Sequence, residues 1–169
     1  AFDLTGQGAF ITGGGTGLIG MWKAFAELRA AGWVTDVPPR MYSVQSTGCA
    51  PVVRAVLEGT DRATPWDNPW TVASGLRVPA PLGDHLVLSA LRASRGGAVA
   101  VSDEDLLGEA ALSAAEEGID FSPEGGAGLA AARILREQGV LGKTERIVVF
   151  NTGAGWLYRR PEDLPNNIK

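Results

Sequence analysis

The sequence predicts an α/β fold, a parallel sheet of about four strands flanked by helices over a single domain spanning 1–169. Three observations carry this. Short apolar, β-branched runs alternate with longer segments of helical periodicity, and that alternation favours a parallel sheet covered on both faces. The 23 glycines fall largely at the junctions between those segments. An apolar fraction of 45% with 20% charged residues, five Trp and five Phe describes a chain that buries a core.

The elements follow in order. Phe10-Ile11-Thr12 is a strand that stops at Gly13-Gly14-Gly15-Thr16-Gly17, after which Leu18, Ile19, Met21, Trp22, Phe25, Ala26 and Leu28 recur at helical spacing as far as Gly32. Pro38-Pro39 break the chain before a second strand over 41–45. Pro51 opens a second helix that Gly59 ends. Residues 60–81, with Trp66, Trp70 and four prolines, lack periodicity and read as a long loop, anchored by those tryptophans and of a length often functional. A helix from Asp84 leads to a strand over 98–101. Ser102, followed by Asp103, Glu104 and Asp105, caps a helix running to about 117. A further helix is expected over 126–138, then a buried strand over 146–150 that ends in Asn151-Thr152-Gly153-Ala154-Gly155.

Charge and cysteine usage narrow the function classes. Fifteen Lys plus Arg against 19 Asp plus Glu give a formal charge of −4, which argues against nucleic acid or an anionic membrane as partner. One Cys forms neither an internal disulfide nor a Cys-rich zinc site, so a reducing, cytoplasmic setting is expected. No apolar run reaches the roughly 18 residues of a spanning helix.

The glycine run carries the chemistry. A strand that enters a glycine loop and then a helix gathers free backbone amides and the positive end of the helix dipole at one point, which suits a phosphate. Glycines keep side chains out of the way and allow positive φ, expected for some loop residues. A tight turn with nothing bound is the other reading. Gly15-Thr16-Gly17-Leu18-Ile19-Gly20 also matches G-x-G-x-x-G, but a dinucleotide site wants an acid closing the second strand. That strand ends Val44-Gln45-Ser46, and Asp36 sits in the turn before it.

Residues 13–25, Gly-Gly-Gly-Thr-Gly-Leu-Ile-Gly-Met-Trp-Lys-Ala-Phe, resemble the phosphate-loop segment of threonine synthases, fold type II enzymes that use pyridoxal 5′-phosphate. Segments 39–41, 44–51, 75–79, 100–104, 117–119, 123–127 and 151–155 continue the resemblance in the family's order, from about Phe10 to Tyr158. It implies part of the large domain of such an enzyme, an incomplete cofactor-binding domain. Gly13, Gly14, Gly15, Thr16 and Gly17 would hold the cofactor phosphate, Thr152 would meet the pyridine nitrogen, and residues 123–127 would wall the site. Without the resemblance, Thr152 reads equally as a hydroxyl satisfying a strand end, and Glu124 as a charge in a first helical turn.

The family's Schiff-base lysine, its acid and base, lies upstream of the glycine loop, as does the asparagine that meets the phenolic oxygen. Lys23, Lys143 and Lys169 match no such position and read as surface charges. The expected catalytic set is therefore empty. The start at Ala1 agrees with a part of something longer. Trp156-Leu157 stand where the family usually has a Leu-Lys pair, which weakens the case for the C-terminal tail closing the site. His85 reads as structural, and Cys49 as a packed thiol at a helix start, where its pKa would fall somewhat.

The resemblance thus implies the C-terminal part of an enzyme converting O-phosphohomoserine and water to threonine and phosphate. The chain alone is expected to be inactive, with cofactor binding weakened or lost. Self-association or a complementing N-terminal segment would cover its open sheet. The alternatives are a non-catalytic phosphate- or pyridoxal-phosphate-binding module, and part of a related fold type II dehydratase or β-replacement synthase.

Overall fold

The computed structural model describes residues 8–13, 15–35 and 37–159. Its framework is one parallel sheet of β1 (Ala9–Gly13), β2 (Arg40–Ser46), β3 (Gly97–Val101) and β4 (Ile147–Val149), ordered β3-β2-β1-β4. Helix α1 (Thr16–Ala30) joins β1 to β2, α2 (Pro51–Glu58) and α3 (Asp84–Ala93) join β2 to β3, and α4 (Asp103–Glu117) and α5 (Pro123–Glu137) join β3 to β4. Short 3₁₀ turns lie at Ser74–Leu76 and Gly155–Tyr158.

The period-2 alternation of each strand splits the core in two. Phe10, Met41, Ala98 and Val148 point to the face covered by Leu18 and Phe25 of α1, Val52 of α2, and Val87, Leu88 and Leu91 of α3. Ile11, Tyr42, Val44, Val99 and Val149 point to the opposite face, onto Ala127, Ala131 and Leu135 of α5 and Leu106 of α4. Small residues let these layers approach closely. A Cβ on Gly126 would collide with the Leu106 carbonyl oxygen, and one on Gly128 would lie 2.6 Å from Val149 Cγ1.

Local signals set the ends of the elements. Gly59 and Gly118, at φ +69° each, terminate α2 and α4 in the left-handed conformation that glycine adopts without a Cβ penalty. Ser102 caps α4 by accepting from the Asp105 amide at 3.0 Å. The last long helix starts three residues before the expected 126, because Ser122 caps it, accepting from the Gly125 amide at 3.2 Å, with Pro123 as first helical residue. Gly125 and Gly126 are helical, dictated by close neighbours rather than by a turn. The last strand is partly buried rather than buried, since it forms one edge of the sheet.

The strand order reverses between β1 and β4. The chain steps outward from β1 to β2 to β3 over one face, then returns across the other to place β4 beside β1. In parallel α/β sheets, the crevice beyond the carboxyl ends of strands at such a reversal is where ligands bind.

Candidate functional site

A cavity of about 630 Å³ opens at that reversal. Its floor is the end of β1 and the start of α1, with Gly13, Gly15, Thr16 and Gly17; Gly14 lies outside the described residues. Residues of the long segment between α2 and α3, among them Gly75, Leu76 and Leu82, form one wall. Glu124, Phe150, Thr152 and Tyr158 complete it. Of the 60–81 segment, Gly75, Leu76, Val78, Ala80 and Pro81 line the cavity.

The floor is rich in unassigned donors. Among the described residues no side chain caps α1, and its first turn holds no acid, so its leading amides and dipole face the cavity without a side-chain partner there. Gly15, the residue before α1, has φ −94° and ψ −55°, and neither Gly13 nor Gly17 has positive φ. The expected left-handed backbone is therefore absent among the described loop residues: the helical conformation already begins at Gly15. What their glycine identity supplies is space. A Cβ on Gly15 would find no protein atom nearer than 3.5 Å and one on Gly17 none nearer than 3.9 Å, whereas Gly13 packs closely under Leu76.

Thr152 follows β4 and lines the cavity, and its hydroxyl has no hydrogen-bond partner among the described residues. The strand-end alternative for this hydroxyl has no bond to support it. The loop beneath is held in place by Ser122, whose hydroxyl donates to Asn151 Oδ1 at 3.3 Å and whose amide donates to the Gly153 carbonyl at 3.1 Å.

Glu124 departs from the surface-charge reading. It is 8% exposed, and its Oε1 accepts from the Gly75 amide at 2.8 Å, joining α5 to the cavity wall. Oε2 is buried with no partner of hydrogen-bond geometry among the described residues. Tyr158 stands beside it, its phenol pushed up to about 12 by burial first and then by the adjacent Glu124 carboxylate. Of residues 123–127, which the resemblance set at the wall of the site, Glu124 lines the cavity, while no signal in the sequence marked its neighbour Tyr158. The C-terminal turn does contribute to the site through Tyr158, while Trp156 and Leu157 are exposed.

The remaining candidates lie elsewhere. Lys23 pairs with Glu27 at 2.5 Å on the surface of α1, Lys143 is exposed, neither lines the cavity, and Lys169 lies outside the described residues. Cys49 is buried, and burial raises its thiol pKa, outweighing the helix-start effect expected to lower it. His85 Nδ1 sits 3.1 Å from the Arg62 guanidinium and 3.6 Å from Asp84, outside the cavity. Trp66 lies under the Arg54 guanidinium at 4.8 Å, as an anchor should. The Trp70 ring is 64% exposed, so that residue is fixed by its backbone amide, which donates to the Gly48 carbonyl, rather than by its ring. Asp36, the misplaced acid of the dinucleotide pattern, lies outside the described residues. Among the described residues no group of three or more His, Cys, Asp or Glu could hold a metal, and no helix is long and apolar enough to cross a membrane.

A phosphorylated aromatic group fits this chemistry: open amides for the phosphate, Leu76, Val78 and Phe150 for a ring, and free polar atoms on Thr152 and Glu124. A family model for pyridoxal-phosphate dependent enzymes matches residues 9–153. The chain belongs to that family. It is 38% identical over 133 residues to a threonine synthase of Methanosarcina acetivorans, covering 79% of this chain and 33% of that protein. It is 34% identical over 164 residues to a cysteate synthase of Methanoculleus marisnigri, covering 90% and 37%. The chain thus spans about a third of the length of these relatives. Among solved structures, a processed threonine deaminase isoform 2 from Solanum lycopersicum matches with a TM-score of 0.69 at 21% identity, covering 89% of this chain and 41% of that one. An L-serine ammonia-lyase from Rhizomucor miehei matches with a TM-score of 0.66 at 22% identity, covering 92% and 50%. The helix-flanked parallel sheet has the architecture of the large domain of fold type II enzymes.

Proposed function

We propose that this chain supplies the cofactor-phosphate half of a threonine synthase-like active site, acting on a small phosphorylated amino acid in the cytoplasm. The observation that carries the reading is the uncapped start of α1, at the strand-order reversal and lining the cavity with Thr152 and Glu124. Gly13, Gly14, Gly15, Thr16 and Gly17 would bind the phosphate of pyridoxal 5′-phosphate through backbone amides, and Thr152 would set its hydroxyl against the ring nitrogen. Bound there, the cofactor supplies an electron sink for a carbanion. A hydroxyl in place of a carboxylate leaves the nitrogen less protonated, and Leu76 and Phe150 exclude water from the ring.

Neither Lys23 nor Lys143 lines the cavity, which favours a chain that binds without turning over unless a lysine-bearing segment completes the site. Residues 1–169 are read here as one domain of such a site. Phe150, which follows edge strand β4, and Trp156 and Leu157 of the C-terminal turn, 45%, 64% and 60% exposed, support association with a complementing segment or a second copy. The test titrates the chain with pyridoxal 5′-phosphate by calorimetry, then reduces the mixture with borohydride and maps adducts. Saturable binding with no stoichiometric pyridoxyl-lysine supports the reading. A stoichiometric adduct on Lys23 or Lys143 overturns the assignment of those lysines.

A further inference from the structure

We infer that Glu124 keeps one carboxylate oxygen in reserve for a hydrogen-bond donor on the phosphorylated ligand, and that the Tyr158 hydroxyl is the resident neighbour such a donor displaces. This rests on the reading of the cavity as a phosphate site and adds to it a second requirement on the ligand. Glu124 is the second residue of α5, fixed by the Ser122 cap and by Pro123. Its two oxygens do different work. Oε1 accepts from the Gly75 amide at 2.8 Å and ties the cavity wall to α5. Oε2, on a residue that lines the cavity, is itself buried and has no hydrogen bond among the described residues. Buried acceptors are almost always paired, and an orphan at the wall of a cavity is satisfied when a ligand arrives.

Tyr158 is an internal donor beside Glu124. Its phenol, raised to about 12, keeps its proton at neutral pH, yet the hydroxyl faces both Glu124 and Ser74 and forms no aligned bond to Oε2. It also borders a second, smaller cavity behind the turn, lined by Leu107 and Ala111 of α4, which gives the ring somewhere to move. Among the described residues no Lys or Arg lines the main cavity, so none of them offers Oε2 a cation there. The ligand class is a phosphate ester that carries an N–H or O–H donor away from its phosphate.

The test compares two probes by calorimetry. Phenyl phosphate has a ring and a phosphate but no donor. Pyridoxamine 5′-phosphate adds ammonium and ring N–H donors, with no aldehyde to react with lysines. Glu124→Gln preserves the carbonyl for Gly75 while turning an NH₂ donor toward the cavity. It is expected to weaken pyridoxamine phosphate about tenfold, and phenyl phosphate less than about twofold. Tyr158→Phe is expected to tighten pyridoxamine phosphate about threefold and leave phenyl phosphate unchanged. Equal losses for both probes in Glu124→Gln would make Glu124 a wall latch only, and no loss for either would remove its role; both overturn the inference. If Glu124→Gln does not fold, Tyr158→Phe decides alone, and weaker or unchanged pyridoxamine phosphate binding overturns it. Failure of the parent chain to bind phenyl phosphate overturns the phosphate-site reading itself, and the inference with it.

Discussion

Asp103 holds the segment that walls the cavity, and its removal has a calculable cost. Its Oδ1 accepts from the Ser46 hydroxyl at 3.1 Å and the Thr71 hydroxyl at 2.5 Å, and its Oδ2 accepts from the Val72 amide at 2.9 Å. Ser46 and Thr71 are 1% and 4% exposed, so water cannot replace the carboxylate for either. At about 1 kcal/mol net for each of the three bonds, Asp103→Ala should cost about 3 kcal/mol. For a domain of this size that lowers Tm by about 6–12 °C. Asp103→Asn keeps an acceptor for the two hydroxyls and presents a donor to the Val72 amide, so about half the loss is expected. Urea unfolding and thermal melts of the three proteins measure this directly. An alanine variant within about 0.5 kcal/mol of the parent, or an asparagine variant no better than alanine, would refute the anchoring role.

Two glycines should respond with opposite sign. Gly126→Ala pushes a methyl into the Leu106 carbonyl and within 3.0 Å of Ala110 Cβ, costing about 3 kcal/mol by overpacking. Gly108→Ala, with no neighbouring atom within 4 Å on the outer side of α4, should stabilise by about 0.5–1 kcal/mol; matching signs in urea unfolding would contradict the packing described. Asp84 and Glu145 are pulled below their usual carboxylate values although burial, the largest single influence, acts to raise them. Amides of Ala63 and His85 with Arg62 prevail at Asp84, as do Arg40 and the Gly142 amide at Glu145. The unfolded chain then binds protons first, so stability present above about pH 4–5 falls as pH drops through the folded-state values. Asp84→Asn should flatten that decline, and an unchanged slope below pH 5 would count against it. Glu124→Gln should bring the Tyr158 phenol down from about 12 toward its ordinary value, read by ultraviolet titration with Tyr158→Phe separating it from Tyr42.

The layout of strands and helices was legible because each level of the sequence agreed: period-2 runs, helical periodicity, and Gly59 and Gly118 at helix ends. The start of α5 was obscured by Gly125-Gly126, a pair that looks like a turn locally and is explained only by Asn151 and Leu106 pressing on the helix. The same long-range packing hid the bond that Glu124 makes to the cavity wall. Nothing in its neighbours along the chain says that residues 73–76 will cover it, because that contact spans 49 positions. The glycine floor was legible as a strand-loop-helix junction, but its backbone conformation was not, since left-handed and helical starts share the same glycine-rich composition. Thr152 was legible mainly through the resemblance, and the structure adds that it lines the cavity with a hydroxyl that has no partner among the described residues.

The central claim is that the start of α1 binds a phosphate. Calorimetric titration of pyridoxal 5′-phosphate into the parent chain and into Gly15→Trp tests it most directly, because an indole at Gly15 would project from the floor of the cavity without displacing the sheet. Saturable binding to the parent, and loss of at least about tenfold in the variant with an unchanged Tm, is the predicted result. Equal affinity in the two proteins would contradict it.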